Sequence, residues 1–137
     1  MAQLADLINS SKKVALFCGI GCADAHDEVV ALADKLKSPV GHSYRGKSFV
    51  EYDNPFDVGM SGLLGFGAAC QAMHECDLLL LLGTDFPYDK FLPTKPKIVQ
   101  VEKHDTGSCR RFLSRICPHV HGDWQGTRLA PGDSGTI

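Results

Sequence analysis

The sequence predicts an α/β fold, a Rossmann-like three-layer sandwich with about six parallel strands in one sheet and helices on both faces. Three observations predict it. Short, nearly continuous apolar runs recur, as in strands buried on both sides. Stretches with helical apolar spacing alternate with them. Glycine stands just after most of the apolar runs, where an open parallel sheet keeps its ligand-binding loops.

The elements follow in order. Leu4, Leu7 and Ile8 give residues 3–11 the stripe of a short amphipathic helix. Residues 13–18 are an apolar strand that ends in Gly19-Ile20-Gly21. Asp24 is placed to cap the next helix, with Asp27 as the far member of an imperfect capping box. Val29, Val30, Ala33 and Leu36 form that helix's buried stripe, and Ser38-Pro39 stops it. Residues 40–43 are a short strand and residues 44–56 a long loop. Residues 58–62 form a glycine-rich apolar element. Residues 65–76 form a helix with Phe66, Ala69, Cys70 and Met73 on one face. Leu78–Leu82 is the clearest strand, because Asp77 before it and Gly83-Thr84-Asp85 after it leave no room for a helix. Residues 97–102 are a strand ending in an acid, and residues 119–121 a last strand. The folded domain is expected over residues 1–123. Residues 124–137 lack a helical stripe and read as an irregular tail, frayed or non-native.

Composition narrows the function. The 137 residues suit one domain. An apolar share of 44% with 22% charged residues excludes a disordered chain. A net charge of −2 gives no basic excess for a phosphate backbone, so no nucleic-acid partner is expected. The start of the chain has neither the charged leader nor the apolar core of a signal peptide, which points to a cytoplasmic protein. The six cysteines form no C-x2-C pair for a zinc ribbon and are expected as reduced thiols.

The strand ends hold the candidate site. Gly19 and Gly21 make half of a dinucleotide fingerprint, or simply a tight strand–helix turn. Asp24 occupies the third glycine position and would repel a diphosphate there. Arg45 and Lys47 can neutralise a diphosphate, or lie on a solvated loop. Met60, Leu63, Phe86, Pro87 and Tyr88 can pack on a flat ring, or rim the core. Glu102 is the residue type that binds ribose hydroxyls, or a solvated strand-end acid. His119-x-His121 lacks the further ligands of a metal site. His26, His42, His74 and His104 show no base–nucleophile arrangement, and no G-x-S-x-G, H-E-x-x-H or Walker loop occurs.

Four segments carry a resemblance: residues 14–19, Arg45-Gly46-Lys47, the block E-Y-D-N-P-F-D-V-G-M-S-G-L at residues 51–63, and L-G-T-D-F-P-Y at residues 82–88. Over about residues 3–123 the chain resembles the central domain of thiamine-diphosphate-dependent enzymes. Within that family it is most similar to the pyruvate-oxidising flavoenzymes, of the pyruvate oxidase and quinone-dependent pyruvate dehydrogenase type. The resemblance implies a domain of the type that holds FAD. It implies a parent whose flanking domains bind thiamine diphosphate and Mg2+, decarboxylate pyruvate oxidatively, and pass electrons through the flavin to a membrane quinone or to oxygen. Such a parent is expected to be a homo-oligomer, cytoplasmic or peripheral to the inner face of the cell membrane.

By position, the resemblance puts Met60, Ser61, Gly62 and Leu63 against the flavin nucleotide. Gly83, Thr84, Asp85, Phe86 and Pro87 become the next loop, and Val101 and Glu102 lie near the adenosine. Gly19, Gly21 and Arg45 complete the expected cofactor-binding set, with no catalytic or metal-binding residue in this chain. Three segments depart from the family pattern: Asp24, residues 103–109, and the tail after Asp123. No G-D-G with a downstream N-N pair is present to hold Mg2+ and the thiamine diphosphate. Two other readings stand beside this one. One is a structural spacer domain that binds no flavin. The other is a sirtuin-like NAD-binding protein, which the missing C-x2-C pairs and G-A-G entry argue against.

Overall fold

The computed structural model describes residues 2–61, 67–84, 93–101 and 109–120. Five parallel strands form one sheet among them: β1 (Val14–Cys18), β2 (Val40–His42), β3 (Asp57–Met60), β4 (Leu78–Leu82) and β5 (Lys97–Val101). Their order is β3-β2-β1-β4-β5. The chain starts mid-sheet, winds outward through β2 and β3, then returns to the other side of β1. The β1/β4 boundary is therefore the topological switch point.

Strand residues alternate between the two faces. Leu78, Leu80 and Leu82 join Val14, Leu16 and Cys18 on one face, where they meet α1 (Ala2–Ser10), α2 (His26–Leu36) and α5 (Cys109–Ile116). Leu79, Leu81, Ala15 and Phe17 take the other face, against Met73 of α4 (Ala68–Glu75) and Cys76. All ten residues of β1 and β4 are buried. This explains why both strands read as continuous apolar runs rather than alternating ones. At the far edge of the sheet, the Asp77 carboxylate accepts the amides of Lys12 (2.8 Å) and Lys13 (3.0 Å), tying the entry of β1 to that of β4.

Some elements differ from the sequence expectation. The 44–56 segment contains a single helical turn, α3 (Lys47–Val50), with Val50 buried. Asp24 does not cap α2. A 3-10 turn (Ile20–Cys22) intervenes, Ala25 holds the cap position, and no side chain bonds there. The buried stripe of α2 is Val29, Leu32, Ala33 and Leu36, with Val30 only partly covered. The expected last strand is instead a 3-10 turn (Cys117–His119) with Pro118 in its first positions. His121 lies outside the described residues. Helix α5 was not expected from the sequence. Its Cys109, Phe112, Leu113 and Ile116 seal the first face of the sheet. The 124–137 tail lies outside the described residues. Among the described residues no helix is long and apolar enough to cross a membrane.

Candidate functional site

The five strands end in one row. Pairing aligns Met60 with His42, His42 with Cys18, Cys18 with Leu82 and Leu82 with Val101. The loops expected to hold a cofactor therefore leave a single edge of the sheet, as an open α/β crevice requires. Along that row Met60 is half-buried, Ser61 and Val101 are buried, Thr84 is half-buried and Arg45 is exposed. Gly62, Leu63, Asp85, Phe86, Pro87 and Glu102 lie outside the described residues.

At the switch point itself the chain closes on its own backbone. The Gly19 amide donates to Leu82 O (2.9 Å), the Gly21 amide to Gly83 O (3.0 Å), and the Gly83 amide to Val101 O (2.9 Å). A Cβ on Gly21 would stand 2.6 Å from Gly83 Cα, and Gly83 has a φ of +63°. Glycine is required at both positions so that the two loops can touch. The Gly21–Gly83 bond joins the two loops, while the Gly19 and Gly83 amides extend the strand pairing onto β4 and β5. Helix α2 begins at His26, four residues beyond the end of the 3-10 turn at Cys22.

The open polar chemistry lies at the β2/β3 end. Asn54 builds the corner there. Its Oδ1 accepts the Phe56 amide (3.0 Å), and its Nδ2 donates to Val50 O (3.0 Å). Asp53 adopts a φ of +44°, which a short acidic side chain tolerates. The D-N-P segment thus folds into the turn that delivers Asp57 to the start of β3. There His42 Nε2 lies 3.2 Å from Asp57 Oδ1 and 3.6 Å from Glu51 Oε2. His42 is 1% exposed, and among the described residues neither its Nε2 nor Asp57 Oδ1 has an aligned hydrogen-bond partner. Lys47 pairs with Glu51. Burial works to lower the His42 pKa, but Asp57, the Ser43 carbonyl and Glu51 outweigh it and raise the pKa above its ordinary value. Glu51 is held below its ordinary value, chiefly by Lys47. Next along the chain, Ser61 accepts a position under His42 by donating its amide to His42 O (3.2 Å). Its Oγ is buried and has no hydrogen-bond partner among the described residues. Sequence reasoning missed this cluster, since its members sit on three separate elements.

Two other features lie apart from the strand-end row. An open groove of about 520 Å³ runs between α2 and the 52–56 segment, where His26 stacks on Tyr52 at 4.0 Å. Asp27, Asp34 and Asp53 line it, the wrong sign for a diphosphate. All six cysteines are free. Cys109 favours the Cys22 thiolate, but Cys18 and burial outweigh it and push that pKa up. Burial and the charge of Asp77 push Cys76 up to about 12. Neither thiol is an activated nucleophile.

The sequence and the fold find matches among known proteins. Residues 1–114 match the family profile described as the thiamine pyrophosphate enzyme central domain. An uncharacterized 42.6 kDa protein encoded in the isoamylase 3' region of Pseudomonas amyloderamosa is 56% identical over 108 residues, covering 79% of this chain and 27% of that protein. The 3D-(3,5/4)-trihydroxycyclohexane-1,2-dione hydrolase of Listeria monocytogenes is 30% identical over 140 residues, covering 89% of this chain and 22% of the relative. The chain thus spans about a quarter of the length of these curated relatives. The crystal structure of benzoylformate decarboxylase from Polynucleobacter necessarius superposes with a TM-score of 0.72 at 21% identity, over 88% of this chain and 26% of that one.

Proposed function

This chain belongs to the family of thiamine pyrophosphate enzyme central domains, and from that premise we propose that it holds the flavin nucleotide of a longer thiamine-diphosphate-dependent enzyme. The parent in this reading decarboxylates pyruvate oxidatively. Its other parts bind thiamine diphosphate and Mg2+, and the electrons leave through FAD to a membrane quinone or to oxygen. We place it in the cytoplasm or at the inner face of the membrane, as a homo-oligomer.

The observation that carries the reading is the orphaned Ser61 hydroxyl. It is 3% exposed, has no hydrogen-bond partner among the described residues, and follows the tip of β3 on the strand-end row. A buried hydroxyl without a partner is costly, and a ligand oxygen would satisfy it. Met60 and Ser61 would hold the nucleotide on one side of the seam, and Thr84 and Val101 on the other. Arg45, exposed after β2, would neutralise the diphosphate. FAD, when bound, supplies two-electron acceptance. The residues of this chain bind and orient it, and none of them is assigned a proton transfer.

A second reading, the non-catalytic spacer, is favoured by one specific observation. The amides of Gly19, Gly21 and Gly83 are all used internally. Flavin fluorescence separates the two. Adding the chain to FAD should quench the fluorescence in a saturable way. Ser61→Ala should weaken the binding about three- to tenfold, the worth of one hydrogen bond. Unquenched flavin at every protein concentration would favour the spacer.

A further inference from the structure

We propose that His42, Glu51 and Asp57 form a binding site for a divalent transition-metal ion at the β2/β3 end of the sheet. The site is independent of the flavin reading and uses none of the residues assigned to the nucleotide.

Four observations carry it. The first is spacing. Ligand atoms at about 2.0–2.2 Å from a tetrahedral ion stand about 3.3–3.6 Å from one another. His42 Nε2 is 3.2 Å from Asp57 Oδ1 and 3.6 Å from Glu51 Oε2, and the three ligand atoms all lie within 4.8 Å of one another. The second is the unsatisfied pair. His42 Nε2 and Asp57 Oδ1 are both buried and face each other 3.2 Å apart without an aligned hydrogen bond to any described group. A cation between them would satisfy both atoms at once. The third is the tautomer. His42 Nδ1 lies 3.2 Å from Ser43 O, an oxygen that can only accept. Nδ1 therefore donates to that carbonyl and leaves Nε2 as the ring nitrogen an ion would take once its proton leaves, the arrangement that outer-shell carbonyls impose on metal-binding histidines. The fourth is access. The Glu51 side chain is 41% exposed, so an ion has an entry path and a water can complete the coordination.

One imidazole with two carboxylates suits zinc, cobalt, manganese or ferrous iron. It does not suit Mg2+ or Ca2+, which prefer oxygen-only ligand sets. Lys47 holds the same Glu51 oxygen that faces His42. Its side chain is exposed and can swing into water when an ion takes its place. A bound ion would join the end of β2, the C-terminus of α3 and the start of β3. That would pin the irregular β2/β3 pairing, whose register shifts between Val40 and Gly41.

Cobalt(II) added to the chelator-stripped full chain tests this by visible absorption. One equivalent should give d–d bands without sulfur-to-cobalt charge transfer, which excludes the six thiols as ligands. Zn2+ should abolish the bands and Mg2+ should leave them. Glu51→Gln alters an exposed side chain, so its fold is retained, and circular dichroism checks this. Glu51→Gln and Asp57→Asn should each weaken cobalt binding by about tenfold or more. The proposal is overturned by absent bands, by thiolate charge transfer, or by unchanged affinity in the folded Glu51→Gln protein.

Discussion

At His42 burial and two carboxylates act on one imidazole, and the sign of the outcome sets a pH dependence. The folded pKa is raised, so the stabilisation is fully present below the unfolded value of about 6.5 and is lost as pH rises through the folded value. Glu51 runs the other way. Its lowered pKa gives stabilisation that is present above its unfolded value and lost as pH falls through the folded one. Measured with chelator present, the melting temperature should fall as pH rises from mild acid through the His42 titration, and His42→Gln should flatten that slope. An unchanged slope would mean that His42 is not coupled to these carboxylates. None of this was legible in the sequence. Residues 42, 51 and 57 follow no ligand spacing and meet only because Asn54 turns the chain between α3 and β3. Gly19 and Gly21 were legible as a tight turn. That their amides are used by Gly83 and Leu82 depends on β4, more than fifty residues away, lying next to β1.

Among the elements, the strands were the most readable, because β1 and β4 are buried on both faces and need no polar alternation. Helix α3 was hidden by its length, since four residues show no period. Helix α5 is different: Cys109, Phe112, Leu113 and Ile116 fall at i, i+3, i+4 and i+7, so its apolar stripe stood in the sequence unused. The final histidines alternate like a strand, but Pro118 removes a backbone donor and favours the first turn of a helix. The packing of α5 can be measured. Leu113 is fully buried among α5's neighbours on the first face of the sheet, whereas Arg115 is exposed. Leu113→Ala should cost about 2–5 kcal/mol in urea unfolding. Arg115→Ala should stay within about 0.5 kcal/mol. Equal effects would show that α5 does not seal the sheet.

Among the described residues the whole molecule is a small parallel sheet whose five strands end along one edge. The fold class was readable from the alternation of elements, and the family from the block at residues 51–63. Asp53, Asn54, Asp57 and Ser61 each hold a turn, a charge contact or a strand tip at the β2/β3 end. This chain covers only about a quarter of the length of its relatives. What this domain contributes must therefore be read at its own strand ends.

Amide chemical shifts of the isotopically labelled chain, followed as FAD is added, test that contribution most directly. Saturable shifts should concentrate at Met60, Ser61, Thr84 and Val101, with Val14, Leu78 and Lys97 at the opposite edge unmoved. Shifts at the opposite edge or along the acidic α2 groove, or none at all, would contradict a flavin site on the strand-end row.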